Sequence, residues 1–212
     1  DDNTKGISLE VGQYDTQRNS IKLALHAKKD THNENDGTTN AEYLMKINTY
    51  SFGVEDTFRF TDNFRVIAGA SWDKDDVKRA DNTRYDASKT SGATSIKEFE
   101  NNSSTAFNPM IKFEYDIDDT LGVYAGVSEK SRFASIKDRY SYRMNKTIPN
   151  PELKPEKTIN YELGVNKTFE NQGVKAVLFY ADMKDFIMTK KVVNPFGAGT
   201  IDQNSNIGEV RQ

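Results

Sequence analysis

Apolar and polar residues alternate along most of this chain, so side chains fall on two opposite faces, as in a β-strand. Ile7, Leu9 and Val11 alternate with Ser8, Glu10 and Gly12 in a first strand, Ile7 to Tyr14. Ile21, Leu23, Leu25 and Ala27 mark a second, against Lys22, Ala24, His26 and Lys28. A third ends at Phe60, with Tyr50, Phe52, Val54, Phe58 and Phe60 on a face that Asp56 interrupts. A fourth places Phe64, Val66, Ala68, Ala70 and Trp72 outward, with Ile67 off pattern. Phe107, Pro109, Ile111, Phe113 and Tyr115 mark a fifth, and Leu121, Val123, Ala125 and Val127 a sixth. Thr158 to Phe169 is a seventh, an eighth starts at Val174, and a ninth is left unfinished. Period 3.6 fits no useful length, so no helix is expected.

The connections alternate in length. Short turns are expected at Asp15–Asn19, Thr61–Asn63, Asp116–Asp119 and Glu170–Gly173. Longer polar segments follow the even strands: Asp30–Asn40, Asp73–Ser104, the stretch after Ser128, and one containing Asn194-Pro195-Phe196-Gly197. Transmembrane β-barrels alternate in this way, with short inner turns and long outer loops. Aromatics bracket the apolar faces, Phe64 with Trp72 and Phe107 with Tyr115, as interfacial girdles do. A soluble β-sandwich also alternates. It seldom needs strands this long or a loop as long as 73–104.

Composition narrows the classes. The 212 residues carry 29 basic and 32 acidic groups, a net charge of −3, which gives no nucleic-acid signal. Only 35% of residues are hydrophobic and mean hydropathy is −0.77, which on its own also fits partial disorder. The 11% aromatic content argues against disorder. Without cysteine there is no disulfide or thiol chemistry. No run reaches the length of a membrane helix. The chain opens Asp1-Asp2 and reads as a mature or excised piece.

The stretch Lys130 to Val165 organises the rest. It is basic and aromatic first, then holds Asn150-Pro151-Glu152-Leu153-Lys154-Pro155-Glu156, whose prolines bar helix and central strand. That segment is expected to end the loop and fix entry into the next strand. RFASIKDRYSYR, NPELKPEK and NYELGV here, with VLFYADMKDFI and Asn206–Val210 later, resemble the late barrel of TonB-dependent outer-membrane receptors of siderophore type. The resemblance is dense from Lys130 onward and diffuse before it.

It implies an all-β antiparallel meander of long strands, a portion of a transmembrane barrel that has 22 strands in that family. Residues 1–212 would be barrel only, without the plug domain and the final strands. Made alone, such a portion is expected to form an open sheet, swap strands or oligomerise. The implied function is TonB-dependent uptake of a ferric siderophore or similar iron complex across the outer membrane of a Gram-negative cell. No bond chemistry and no cofactor are implied. Implied partners are the anionic iron chelate, outer-membrane lipid and lipopolysaccharide, and TonB through the absent plug. Two other classes stay open: a soluble or surface β-domain acting as adhesin or carbohydrate binder, and a barrel hydrolase or protease.

Lys130, Arg132, Lys137, Arg139, Arg143 and Lys146 face one acid, Asp138, with Phe133, Tyr140 and Tyr142 among them. At a barrel mouth such a cluster attracts an anion and stacks on its rings. Arg132, Lys137, Arg139, Tyr140, Tyr142 and Arg143 are therefore the candidate ligand-binding residues. A solvated loop, or one paired with lipopolysaccharide phosphates, fits the same charges. His26 falls on a polar face and is expected to make a hydrogen bond there. His32, in DTHNENDG, misses calcium-loop spacing and reads as a turn. Asp116, Asp118 and Asp119 read as turn residues. No metal motif, nucleophile elbow or phosphate loop is present.

Overall fold

A computed structural model of the chain describes residues 2–14, 18–35, 42–82, 97–100, 102–143, 146–195 and 197–211. The strands are β1 (Asp2–Tyr14), β2 (Asn19–Asn35), β3 (Glu42–Arg59), β4 (Phe64–Asn82), β5 (Lys97–Glu98), β6 (Ser103–Asp118), β7 (Leu121–Arg132), β8 (Thr147–Ile148), β9 (Glu156–Thr168), β10 (Gly173–Val193) and β11 (Thr200–Arg211). One short helix, α1, spans Ile136–Tyr140. The long strands pair antiparallel in chain order, β1-β2-β3-β4-β6-β7-β9-β10-β11, in a single open sheet. β5 extends β4, and β8 runs parallel to the free edge of β11 at Asp202 and Gln203.

The alternation read from the sequence is the sheet's two-facedness. Side chains line up in cross-strand rows on the outer face. Leu9, Leu25, Phe52, Trp72 and Phe107 form one row. Phe58, Val66, Phe113, Ala125, Leu163 and Leu178 form another. Among the described residues nothing covers them: Trp72 is 45% exposed and Leu163 56%. A sandwich would bury this face under a second sheet, and there is no second layer among the described residues. An apolar surface this broad marks a lipid or protein contact. Phe64 and Trp72 lie eight residues apart on β4, about 26 Å along the strand, close to the height of a barrel's apolar band.

The inner face is wet and cross-linked. Arg65 donates to Glu114 at 2.5 Å and to Asp116 at 2.8 Å, and Lys112 pairs with Glu114 at 2.5 Å. Ile67 points inward, which accounts for its being off pattern. Tyr124 on β7 lies against Gly164 on β9, where any Cβ would run into its ring. Pro109 sits mid-strand in β6. Its β4 side is paired throughout, but the β6–β7 ladder stops at Met110, beside the residue that has no N–H to give.

Several strands are longer than the alternation indicated. β2 continues to Asn35, placing His32 in a strand rather than a turn. β4 continues to Asn82, inside the segment read as a loop, and β11 is a full ladder of β10. The reason is local: beyond the apolar band the outer face turns polar and the inner face keeps only scattered apolar residues such as Val77 and Ala80, so period two fades. The expected turn residues Asp15–Gln17, the loop residues 36–41 and 83–96, and Phe196 lie outside the described residues. The expectation of no helix is corrected by α1, whose single turn is too short to register as a period.

Candidate functional site

The basic stretch after β7 folds against the inner face at the long-loop end. Ser135 caps α1: the Asp138 N–H donates to its Oγ at 3.2 Å, and the Ser135 N–H donates to the Asp138 carboxylate at 3.3 Å. This reciprocal box fixes a helix too short to stand alone. Ile136 and Tyr140, four residues apart, then share a face. That face meets Met45, Ile47, Val77 and Ala80 on β3 and β4, with the Phe99 ring 5.4 Å from the Tyr140 ring. Burial pushes the Tyr140 hydroxyl above the ordinary tyrosine range, against the pull of Arg139.

The candidate residues divide into two groups. Arg139, Tyr140 and Tyr142 are buried in the seam between loop and wall. The Arg139 side chain is 1% exposed; it pairs with Asp75 of β4 and donates to Ala134 O at 3.2 Å. Tyr142 donates its hydroxyl to Asn82 at 3.0 Å. These three are therefore enclosed between the loop and the wall. Arg132, Lys137 and Arg143 keep solvent exposure, but each has an acid: Glu156 at 2.5 Å, Asp2 at 3.1 Å and Asp138 at 3.4 Å. Lys146 is exposed and Phe133 lines the cavity described below.

The proline segment does what its composition implied. It forms a turn that delivers Glu156 as the first residue of β9. Glu156 then ties three strands: Arg132 of β7 donates to one carboxylate oxygen at 2.5 Å and the Ile187 N–H of β10 to the other at 2.7 Å. Burial pulls its pKa up, but those two donors outweigh it and hold the carboxyl below the usual carboxylate range. Leu153 is buried, and Lys154 exchanges hydrogen bonds with Asn206 at 2.9 and 3.0 Å. Asn204 links β11 to Asp138 at 3.1 Å.

Between this loop and the inner files of β1 and β2 lies a cavity of about 570 Å³. Lys28 pairs there with Asp30 at 2.8 Å, and Thr4 donates to Asp30 at 2.7 Å. Asp2 receives both His32 and Lys137, which lower its pKa, His32 having the larger effect. His26, further along the same inner file, bonds Ser8 at 2.7 Å, as its face implied. At the short-turn end, the Thr120 hydroxyl and N–H donate to Asp118 at 2.6 and 2.7 Å and lower its pKa, the carboxylate of an ordinary turn. No cluster suited to a metal ion occurs among the described residues.

The serine cap was legible as S-x-x-D. Asp75, Asn82, Glu156 and Asn204 were not, since nothing in the sequence links them to loop residues 24 to 66 positions away.

Known proteins share this construction. The OprC copper transporter superposes with a TM-score of 0.72 at 18% identity, covering 99% of this chain and 33% of that one. A double mutant of the Serratia marcescens hemophore receptor HasR, solved with its hemophore HasA and heme, gives 0.71 at 15% identity, covering 99% and 37%. A mutant of the ferric enterobactin receptor PfeA from Pseudomonas aeruginosa, solved with enterobactin, gives 0.68 at 13%, covering 99% and 32%. The chain thus spans about a third of the length of these structures. No curated protein matches the sequence. The family model for the TonB dependent receptor-like β-barrel matches residues 3–212. A single sheet, bare and apolar outside, salt-bridged inside, with one loop turned inward at its long-loop end, is a part of such a wall, and the chain belongs to the TonB-dependent receptor β-barrel family.

Proposed function

We propose that this chain forms part of the wall and mouth of an outer-membrane receptor that takes up a ferric siderophore or similar iron complex. The observation that carries the reading is the asymmetry of one sheet. The outer rows from Leu9 to Phe107 suit hydrocarbon, while the inner face from Lys22 to Glu162 suits water. Backbone groups in lipid must all be paired, so the two edges of this sheet belong against further strands of a closed barrel. Plug and remaining wall come from the rest of the receptor, and TonB acts through that plug. The family comprises transporters and receptors of Gram-negative outer membranes, and the wall performs no bond chemistry. Arg132, Lys137 and Arg143 face the passage and contact solute or lipopolysaccharide phosphate, while Arg139, Tyr140 and Tyr142 set the loop that presents them.

The test uses the intact receptor in iron-starved cells, with radiolabelled ferric chelates offered one at a time. Uptake that needs both the receptor and TonB supports the reading. Iron uptake that is the same with and without the receptor refutes it.

A further inference from the structure

The charges that line the mouth cavity cancel. Its cations are Lys28, Arg132 and Lys137, and its carboxylates are Asp2, Asp30 and Asp75. Every one of them is already engaged. Lys28 holds Asp30, Lys137 holds Asp2, Arg132 holds Glu156, and Asp75 holds Arg139 from behind the wall. Within the basic run, Arg132, Lys137 and Arg139 each meet an acid brought in from β9, β1 and β4, and Arg143 meets Asp138 of its own loop. Asp2 is well exposed, with 62% of its side-chain surface open, so the cavity shows carboxylate as well as ammonium to a visitor. The lining also holds His32, bonded to Asp2, with hydroxyls from Thr4, Thr31 and Ser135 and apolar surface from Phe133 and Ile136.

We propose that this cavity receives a neutral or singly charged, oxygen-rich iron chelate of the trihydroxamate kind, and disfavours a multiply anionic tris-catecholate. This rests on the uptake function proposed above and refines its substrate class. A tris-catecholate iron complex brings three negative charges. To be held tightly it needs unpaired cations, and here it meets cations already neutralised beside open carboxylates. Like charges placed together across an interface are the usual means of rejecting a wrong partner. A trihydroxamate complex of iron(III) has no net charge on its chelating groups. It offers carbonyl and N–O oxygens to ammonium and hydroxyl donors, and methylene chains to Phe133 and Ile136. The cavity volume of about 570 Å³ lies within the range of small-molecule sites.

The experiment supplies radiolabelled iron as a linear ferric trihydroxamate or as a ferric tris-catecholate to iron-starved cells whose only iron receptor is the intact protein. The expected result is uptake of the trihydroxamate at least roughly tenfold faster at equal concentration, one decade being about 1.4 kcal/mol of discrimination. The doubly neutralised Asp2→Asn, Asp30→Asn receptor, which leaves Lys28 and Lys137 without acids, is expected to lose most of that preference. Direct binding to the purified wild-type receptor, read by quenching of its fluorescence, gives the same ranking without relying on a variant's assembly. A preference for the tris-catecholate, in uptake or in binding, overturns this inference and leaves the uptake function standing. Failure of both chelates to enter or bind overturns this inference, and the uptake function then stands or falls on the wider set of chelates offered with and without the receptor.

Discussion

Replacing Arg139 with alanine isolates what holds the loop inside the mouth. Arg139 and Asp75 are the charges of a buried pair, their side chains 1% and 6% exposed. Removing the arginine strands a buried carboxylate beneath α1, to which the Thr49 hydroxyl donates at 3.1 Å. Breaking such a pair from one side costs about 3–5 kcal/mol. The loop can escape that cost by leaving the wall, which exposes Asp75 to water. The penalty should therefore appear as local opening, with the loop's opening equilibrium rising by about two to four orders of magnitude. Amide exchange of residues 136–142, measured on the intact receptor in detergent, reports that equilibrium. A double variant, Arg139→Met with Asp75→Leu, replaces the pair by apolar side chains and should restore slow exchange, since such swaps are often neutral. Two outcomes refute the reasoning: unchanged exchange in Arg139→Ala, or a double variant that opens as freely as the single one.

Four further outcomes follow from the geometry. Gly164→Ala forces the Tyr124 ring away from β9 and should cost about 1–3 kcal/mol in urea unfolding of the refolded receptor, with Tyr124→Ala relieving the loss when added to it. Gly69→Ala places its new methyl 2.7 Å from the Val54 carbonyl, which is backbone, so it should be the worse tolerated of the two. Leu163→Arg puts a charge in the middle of the outer apolar rows and should cost about 2–4 kcal/mol on assembly into vesicles, while Ser51→Arg on the inner face should cost much less. Glu156 has a depressed folded pKa, so its contribution is complete above the ordinary value of 4.5 and is lost as pH falls through the folded value; protection of the Ile187 amide, taken relative to its intrinsic exchange rate at each pH, should fall in acid, and Glu156→Gln should flatten that dependence.

The wall was legible because lipid and water impose one rule on every strand within the band. Ile21, Leu23 and Leu25, or Phe64 to Trp72, declare their face by alternation alone. The mouth was not legible, because its structure rests on pairs far apart in sequence. Arg139 reads in the sequence as a ligand-binding candidate, and nothing there points to Asp75, 64 residues earlier, which lies beneath it. Tyr140 and Ile136 make one apolar turn, too little to register as a period, and their partners Met45, Ile47, Val77 and Ala80 lie where β3 and β4 have left the band. The Asn150–Glu156 turn was legible from its prolines, but Glu156's hold on Ile187 was not, since it needs the β9–β10 register.

β8 has a consequence for anything that zips against the last wall element. Thr147 and Ile148 occupy the backbone of β11 at Asp202 and Gln203, and the Asn150 side-chain amide donates to the Asn204 carbonyl at 2.9 Å. A neighbouring ribbon laid along that side must stop short of Asn204. The rim there is stepped, and its notch is plugged by a segment whose own anchor, Arg139, sits on the opposite flank. Prising that anchor loose should therefore slacken a seam several strands away, so the two flanks of the mouth are mechanically one part.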